Sequence, residues 1–283
     1  MNLADLSELK PVLERHGFSF SKSLGQNFLV SPKILEAIAG AAVLPGCSAL
    51  EIGPGAGALT AALASRAERV AAIEKDESLR PVLQETLAPF SNAEVIYGDA
   101  LKLDLRAVVS EKLGGNAVAA ANLPYYITAP AIKKLLEARV FKLVTVTVQK
   151  EVADKLVSSP GSPLWGAFPL TVLYYAAPAV LFSVPAGAFY PRPGVDSAVV
   201  SLAPREPLLT PGEERAFFAL VSAAFSMRRK TLANALSPLF GKDGAAELLR
   251  SCALDPGQRG EALGLEEFCH LARSASRFLQ DSR

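Results

Sequence analysis

The chain has 283 residues, half of them apolar and a fifth charged, which excludes a disordered or fibrous protein and supplies core for one large domain or a large and a small one. Lys and Arg number 29 against 28 Asp and Glu, a formal net charge of +1; as a total this argues against a polyanionic partner, although a basic stripe can hide within it. Cys47, Cys252 and Cys269 lie far apart without a C-x-x-C pair, and His16 and His270 are equally separated, so neither a disulfide framework nor a metal site is expected.

The N-terminus is acidic and lacks an apolar core segment, so it does not read as a signal peptide, and no apolar run approaches the ~20 residues of a membrane span. A cytoplasmic protein is the expectation. Leu3, Leu6, Leu9 and Leu13 fit one face of a short helix, and Gly17 to Gln26 reads as loop. Ser31-Pro32 opens a second helix that ends at Pro45-Gly46. Strands at 49–52, 69–73, 93–97, 116–121 and 143–148 then alternate with helices at 58–66, 77–87 and 129–138. This βα repetition predicts a mainly parallel sheet covered on both faces. Helices are expected at 151–157 and 167–176, followed by strands at 180–184 and 197–202 with no helix between them, an antiparallel hairpin at the sheet edge. The Pro-rich and charged stretch 203–212 marks a domain boundary, and everything beyond it reads as helix: 213–225, 230–236, 244–252 and 265–279. The domains are therefore 1–205 and 206–283, the second a small all-α domain.

The first strand runs into Gly53-Pro54-Gly55-Ala56-Gly57 and then a helix. Glycines there allow a sharp turn and close approach of a ligand to the backbone near a helix N-terminus; the alternative is a tight turn without a ligand. With Ala58 completing the spacing, a dinucleotide fingerprint is not excluded, but Glu51 before the turn fits better the E-x-G-x-G-x-G form of S-adenosylmethionine methyltransferases. Glu74 ends the second strand, where a carboxylate can accept both ribose hydroxyls or simply be a solvated charge. Asp99 ends the third, where it can accept from an adenine amine or form a Gly-Asp turn. Ligands of open α/β sheets bind at those strand ends.

The fourth strand ends in Asn122-Leu123-Pro124-Tyr125-Tyr126. An adenine amine is a poor nucleophile because its lone pair is delocalised into the ring. Asn122 Oδ1 and the Leu123 carbonyl can accept its two N–H groups, Pro124 fixes the turn, and Tyr125 offers a stacking face. A strand-to-loop turn with a packed tyrosine is the alternative.

With these residues the chain resembles the KsgA-type ribosomal RNA small-subunit adenine dimethyltransferases. The likeness rests on Leu24–Leu29, Glu51–Gly55, Gly98-Asp99, Asn122–Tyr125, Gln149–Val152, Val195–Val200 and Phe225–Thr231, in order and nearly end to end. It implies a Rossmann-like α/β fold with a mainly parallel seven-stranded sheet, a donor-covering segment at 1–30, S-adenosylmethionine as methyl donor, and two adjacent adenosines of the 3′-terminal stem-loop of 16S rRNA in the immature small subunit as substrate, acted on by a monomer. The resemblance further implies donor contacts from Asn27, Leu29, Gly53, Gly55, Glu74, Asp99 and Asn122, and a base sandwich between Tyr125 and Phe189, the latter otherwise a core aromatic. Tyr126, where many members have Asn, and Trp165, where Tyr is common, depart from the pattern.

Arg228-Arg229-Lys230 is the sharpest basic run, either a phosphate-contacting patch that Lys22, Lys33, Lys102 and Arg192 would extend, or a helix C-terminus carrying dipole-favoured cations. Three other functions remain open on the sequence: a large-subunit 23S rRNA methyltransferase of the macrolide-resistance type, an assembly factor whose methylation is secondary, and a dehydrogenase.

Overall fold

The computed structural model describes residues 2–21, 24–227 and 229–281, with side chains described as far as residue 276. In chain order the elements are α1 (Leu6–Arg15), β1 (Phe28–Leu29), α2 (Pro32–Ala42), β2 (Ser48–Ile52), α3 (Ala58–Ala64), β3 (Val70–Glu74), α4 (Arg80–Thr86), β4 (Ala93–Tyr97), α5 (Leu105–Leu113), β5 (Ala117–Asn122), α6 (Thr128–Ala138), β6 (Phe141–Gln149), α7 (Lys150–Leu156), α8 (Ala167–Tyr175), β7 (Ala176–Val184), β8 (Phe189–Tyr190), β9 (Ser197–Pro204), α9 (Pro211–Ser226), α10 (Leu232–Ser251) and α11 (Leu265–Asp281).

The expected seven-stranded sheet is present in the order β4-β3-β2-β5-β6-β9-β7. Its first five strands are parallel, and β9 runs antiparallel to β6. The order reverses at β2, so the carboxyl ends of β2, β3, β4 and β5 open onto the topological switch point where α/β sheets bind ligands. β2, β3 and β5 are buried along almost their whole length, as strands covered on both faces must be. β7 is the edge strand beside β9, and the Pro-rich link between them carries β8, which pairs antiparallel with β1.

Two helical features differ from the sequence expectation. α5 was not anticipated, although Asp104 caps it by accepting from Arg106 N at 2.9 Å and Gly114 ends it at φ 72°. Its weak apolar face is the reason, because only Leu105, Val109 and Leu113 are buried. The stretch 232–251 is one element broken at Gly241, whose φ of 73° and ψ of 169° are not helical, so the separate helices expected at 230–236 and 244–252 correspond to its two arms.

The chain divides into two compact units, residues 1–153 with 177–204, and residues 154–176 with 205–283. This differs from a single boundary after residue 205: the segment 154–176 belongs with the C-terminal helices. Trp165 is the reason. Its side chain is fully buried and its Nε1 donates to Leu263 O at 3.0 Å. Tyr174 and Tyr175 both donate to Glu214 of α9, at 3.1 and 3.4 Å, and Tyr174 stacks on Phe217.

Candidate active site

Gly53, Gly55 and Gly57 all have positive φ, at 73°, 57° and 90°, which carries the chain from β2 over the end of the sheet into α3. Only glycine adopts such angles without strain. Their surroundings differ. A Cβ on Gly55 would lie 2.8 Å from the Phe28 ring, whereas a Cβ on Gly53 would meet no protein atom within 4 Å. Gly55 is thus demanded by the segment packed on it, and Gly53 leaves bare backbone on a cavity wall.

Three carboxylates surround this turn. Glu51 is 1% exposed, its Oε2 accepts from Thr60 Oγ1 at 2.6 Å, and burial pushes its pKa up to about 8, so it is mostly neutral at pH 7. Glu74, at the end of β3, accepts from Gly55 N at 3.2 Å and Asp76 N at 2.7 Å, which ties the glycine turn to the neighbouring strand. Burial raises its pKa, and those backbone N–H groups oppose the rise. Asp99, beyond β4, is held below the usual carboxylate range, chiefly by Lys75, whose Nζ lies 3.0 Å from Oδ2.

At the end of β5, Asn122 Nδ2 donates to the backbone carbonyl of Asn27 at 3.0 Å. A carbonyl can only accept, so this contact fixes the amide orientation and leaves Oδ1 without a donor among the described residues. Leu123 N donates to Thr147 O, Pro124 sits at φ −56°, and Tyr125 enters a short 3₁₀ turn with its hydroxyl 3.1 Å from the buried Ser197 Oγ. Phe189, on β8 opposite Leu29, is buried in the core cluster beneath α2 and also lines the cavity. Its burial agrees with a core aromatic, and its ring also borders the cavity. Tyr126 is 52% exposed at the mouth.

The residues expected to hold a donor and a base (Asn27, Leu29, Gly53, Gly55, Glu74, Asp99 and Asn122; Leu123, Pro124, Tyr125 and Phe189) all line this one cavity of about 1020 Å³, its open mouth included. The segment before α2 closes one side. β1 pairs with β8, Phe28 packs against Phe18 and Phe20, and Gln26 Nε2 donates to Asp76 Oδ2 at 2.6 Å. Gln26, Phe28, Lys75 and Ser197 were missed as parts of the site. Phe28 and Gln26 stood inside a quoted motif, but nothing in the sequence pairs them with Gly55 and Asp76.

The ribosomal RNA adenine dimethylase model matches residues 17–276, nearly the whole chain. The chain belongs to that family. Among similar members, the ribosomal RNA small subunit methyltransferase A of Geobacillus kaustophilus is 43% identical, covering 96% of this chain and 97% of the relative, and that of Pelotomaculum thermopropionicum is 45% identical over the same shares. Two solved structures of similar proteins are a dimethyladenosine transferase from Plasmodium falciparum and the 23S rRNA methyltransferase ErmE. The first has a TM-score of 0.73 and 27% identity, covering 85% of this chain and 94% of that one. The second has a TM-score of 0.66 and 26% identity, covering 88% and 99%. As a ribosomal RNA adenine dimethylase the protein is an RNA methyltransferase, and a nicotinamide dehydrogenase is set aside.

Of the basic residues, Arg229 and Lys230 are exposed in the turn between α9 and α10, while Arg228 lies outside the described residues, as does Lys22. Lys33, Lys102 and Arg192 are exposed on the first unit. Among the described residues no cluster could hold a metal ion, and no helix is long and apolar enough to cross a membrane.

Proposed function

We propose that this adenine dimethylase methylates N6 of two adjacent adenosines in the 3′-terminal stem-loop of 16S rRNA, within the immature small subunit, with S-adenosylmethionine as donor. Similarity at 43–45% identity to small-subunit methyltransferases over nearly the whole chain carries the choice of substrate, against 26% for the 23S rRNA enzyme.

The cavity fits such a donor. Gly53 offers bare backbone to the methionine part, Glu74 accepts from ribose hydroxyls and Asp99 from an adenine amine, with Asn27, Leu29 and Gly55 forming the wall. An ionised carboxylate has about four lone-pair positions, so both acids keep capacity beyond their protein partners. When bound, the donor supplies an electrophilic methyl group.

The protein's task is then to present the target amine. Asn122 Oδ1 and the Leu123 carbonyl each accept one of its N–H groups and favour a more tetrahedral nitrogen, whose lone pair is less delocalised. Tyr125, steadied through Ser197, and Phe189, fixed in the core, hold the two faces of the base. Glu51, buried and mostly neutral at pH 7, is no general base, and none is required: the methylated nitrogen is acidic enough to release its proton to water. Positioning carries the step. Arg228, Arg229 and Lys230 are assigned to phosphate contacts.

The test is methyl transfer from labelled donor to unmethylated small subunits, followed by mapping of the label. Two adjacent dimethylated adenosines near the 3′ end of 16S rRNA are expected. Label on 23S rRNA, or none, overturns the proposal.

A further inference from the structure

Lys75 leaves β3 directly after Glu74, and its side chain reaches the end of β4, where Nζ lies 3.0 Å from Asp99 Oδ2. The other carboxylate oxygen, Oδ1, accepts from Leu101 N at 3.0 Å. Both oxygens are therefore held, which fixes the plane of the carboxylate. The Lys75 side chain is 54% exposed and that of Asp99 only 21%, so the ammonium sits on the solvent side of an acid set into the wall. Both residues line the cavity.

We propose that Lys75 is a positioning residue for the donor's purine: together with Leu101 N it holds both oxygens of Asp99, aims the carboxylate at a 6-amino edge, and so makes the pocket select an amino-purine over an oxo-purine. This rests on Asp99 being the donor-adenine acceptor proposed above. The chemistry is one of matched edges. A 6-amino edge presents N–H donors to a carboxylate. A 6-oxo edge presents lone pairs, which a carboxylate fixed in that place repels.

The surrounding charges agree with this assignment. Lys75 is the largest influence lowering the Asp99 pKa, with the Leu101 N–H and Lys102 acting the same way and partial burial opposing them. Asp99 in turn raises the pKa of Lys75, with a smaller contribution from Tyr126. Glu74 and Asp76 flank Lys75 along the chain. With Lys75 neutralised, the Leu101 N–H and Lys102 still favour the ionised acid, but Oδ2 loses the partner that fixes the plane of the carboxylate.

The experiment compares the wild-type protein with Lys75→Met and Lys75→Arg. Calorimetry at neutral pH measures binding of S-adenosylhomocysteine and its deaminated counterpart S-inosylhomocysteine. Lys75→Met is expected to weaken S-adenosylhomocysteine binding about fivefold at neutral pH and to narrow the preference over the inosyl compound, because the freed carboxylate no longer meets the amino edge squarely. Lys75→Arg restores both. Unchanged affinity and preference in Lys75→Met, with normal wild-type binding, overturns the inference alone. Failure of the wild-type protein to bind S-adenosylhomocysteine overturns the proposed donor and this inference with it.

Discussion

Gly55→Ala and Gly53→Ala are the same chemical change at two positions of one turn, and they are expected to cost different amounts. Each puts Ala at positive φ, a backbone cost of about 1 kcal/mol. At Gly53 nothing else follows, because the new methyl meets no protein atom. At Gly55 the methyl would lie 2.8 Å from two carbons of the Phe28 ring, and that ring is held by Phe18 and Phe20 at centroid distances of 5.8 and 5.0 Å. The ring must move within a filled cluster, an overpacking cost of about 1–3 kcal/mol. Gly55→Ala is therefore expected to destabilise by about 2–4 kcal/mol and Gly53→Ala by about 1 kcal/mol. Urea denaturation without ligand measures both. In a Phe28→Leu background, where the ring is gone, the cost of Gly55→Ala should fall to near that of Gly53→Ala. Equal costs for the two alanines in the wild-type background, or no relief from Phe28→Leu, refute the packing argument.

Glu51→Gln tests the neutral state of the buried acid. Its folded pKa of about 8 lies above the ordinary value of 4.5, so its favourable contribution is complete below pH 4.5 and is lost as pH rises toward 8. The Gln variant should lose less stability than the wild type between pH 5 and pH 8 in denaturation at each pH, and identical slopes would count against a neutral Glu51. Asn122→Ala should cut methyl transfer by about 10²–10³-fold while subunit binding in a filter assay is retained, by analogy with the loss of one preorganised polar group in other active sites; full activity would remove Asn122 from the chemistry, and lost binding would make it part of RNA recognition. Reversing the charge of Arg228 and Arg229 should weaken subunit binding and flatten its salt dependence, by about one unit of log–log slope per lost phosphate contact. Unchanged affinity would return this run to the role of a helix terminus.

The strand ends were legible because buried parallel strands, glycine turns and acids at carboxyl ends leave local marks, and all three acids do lie around one cavity. Contacts between residues remote in sequence left none. β1 and β8 are two residues each, too short for an alternation to register, yet their pairing seats the segment carrying Asn27 and Phe28. Glu51 read as a donor-pocket acid, and its burial against Thr60 was invisible because Thr60 looks like any residue of a helical run. The grouping of 154–176 with the last helices shows in contacts such as the indole bond to Leu263 and the tyrosine bonds to Glu214, which composition does not announce. The near-zero net charge was misleading for a simple reason: several acids it counts line the cavity, and Glu51 is mostly uncharged at pH 7.

The bond from Trp165 to Leu263 spans 98 residues of chain. At a synthesis rate of about 5–20 residues per second, the indole emerges about 5–20 s before its partner. During that interval the tryptophan and the two tyrosines after it have no finished core to enter, and the nascent protein carries an apolar segment in the middle of its length rather than at its tail. Any holdase that shields this protein during translation should therefore engage it around residues 165–175 and let go only once α11 has emerged.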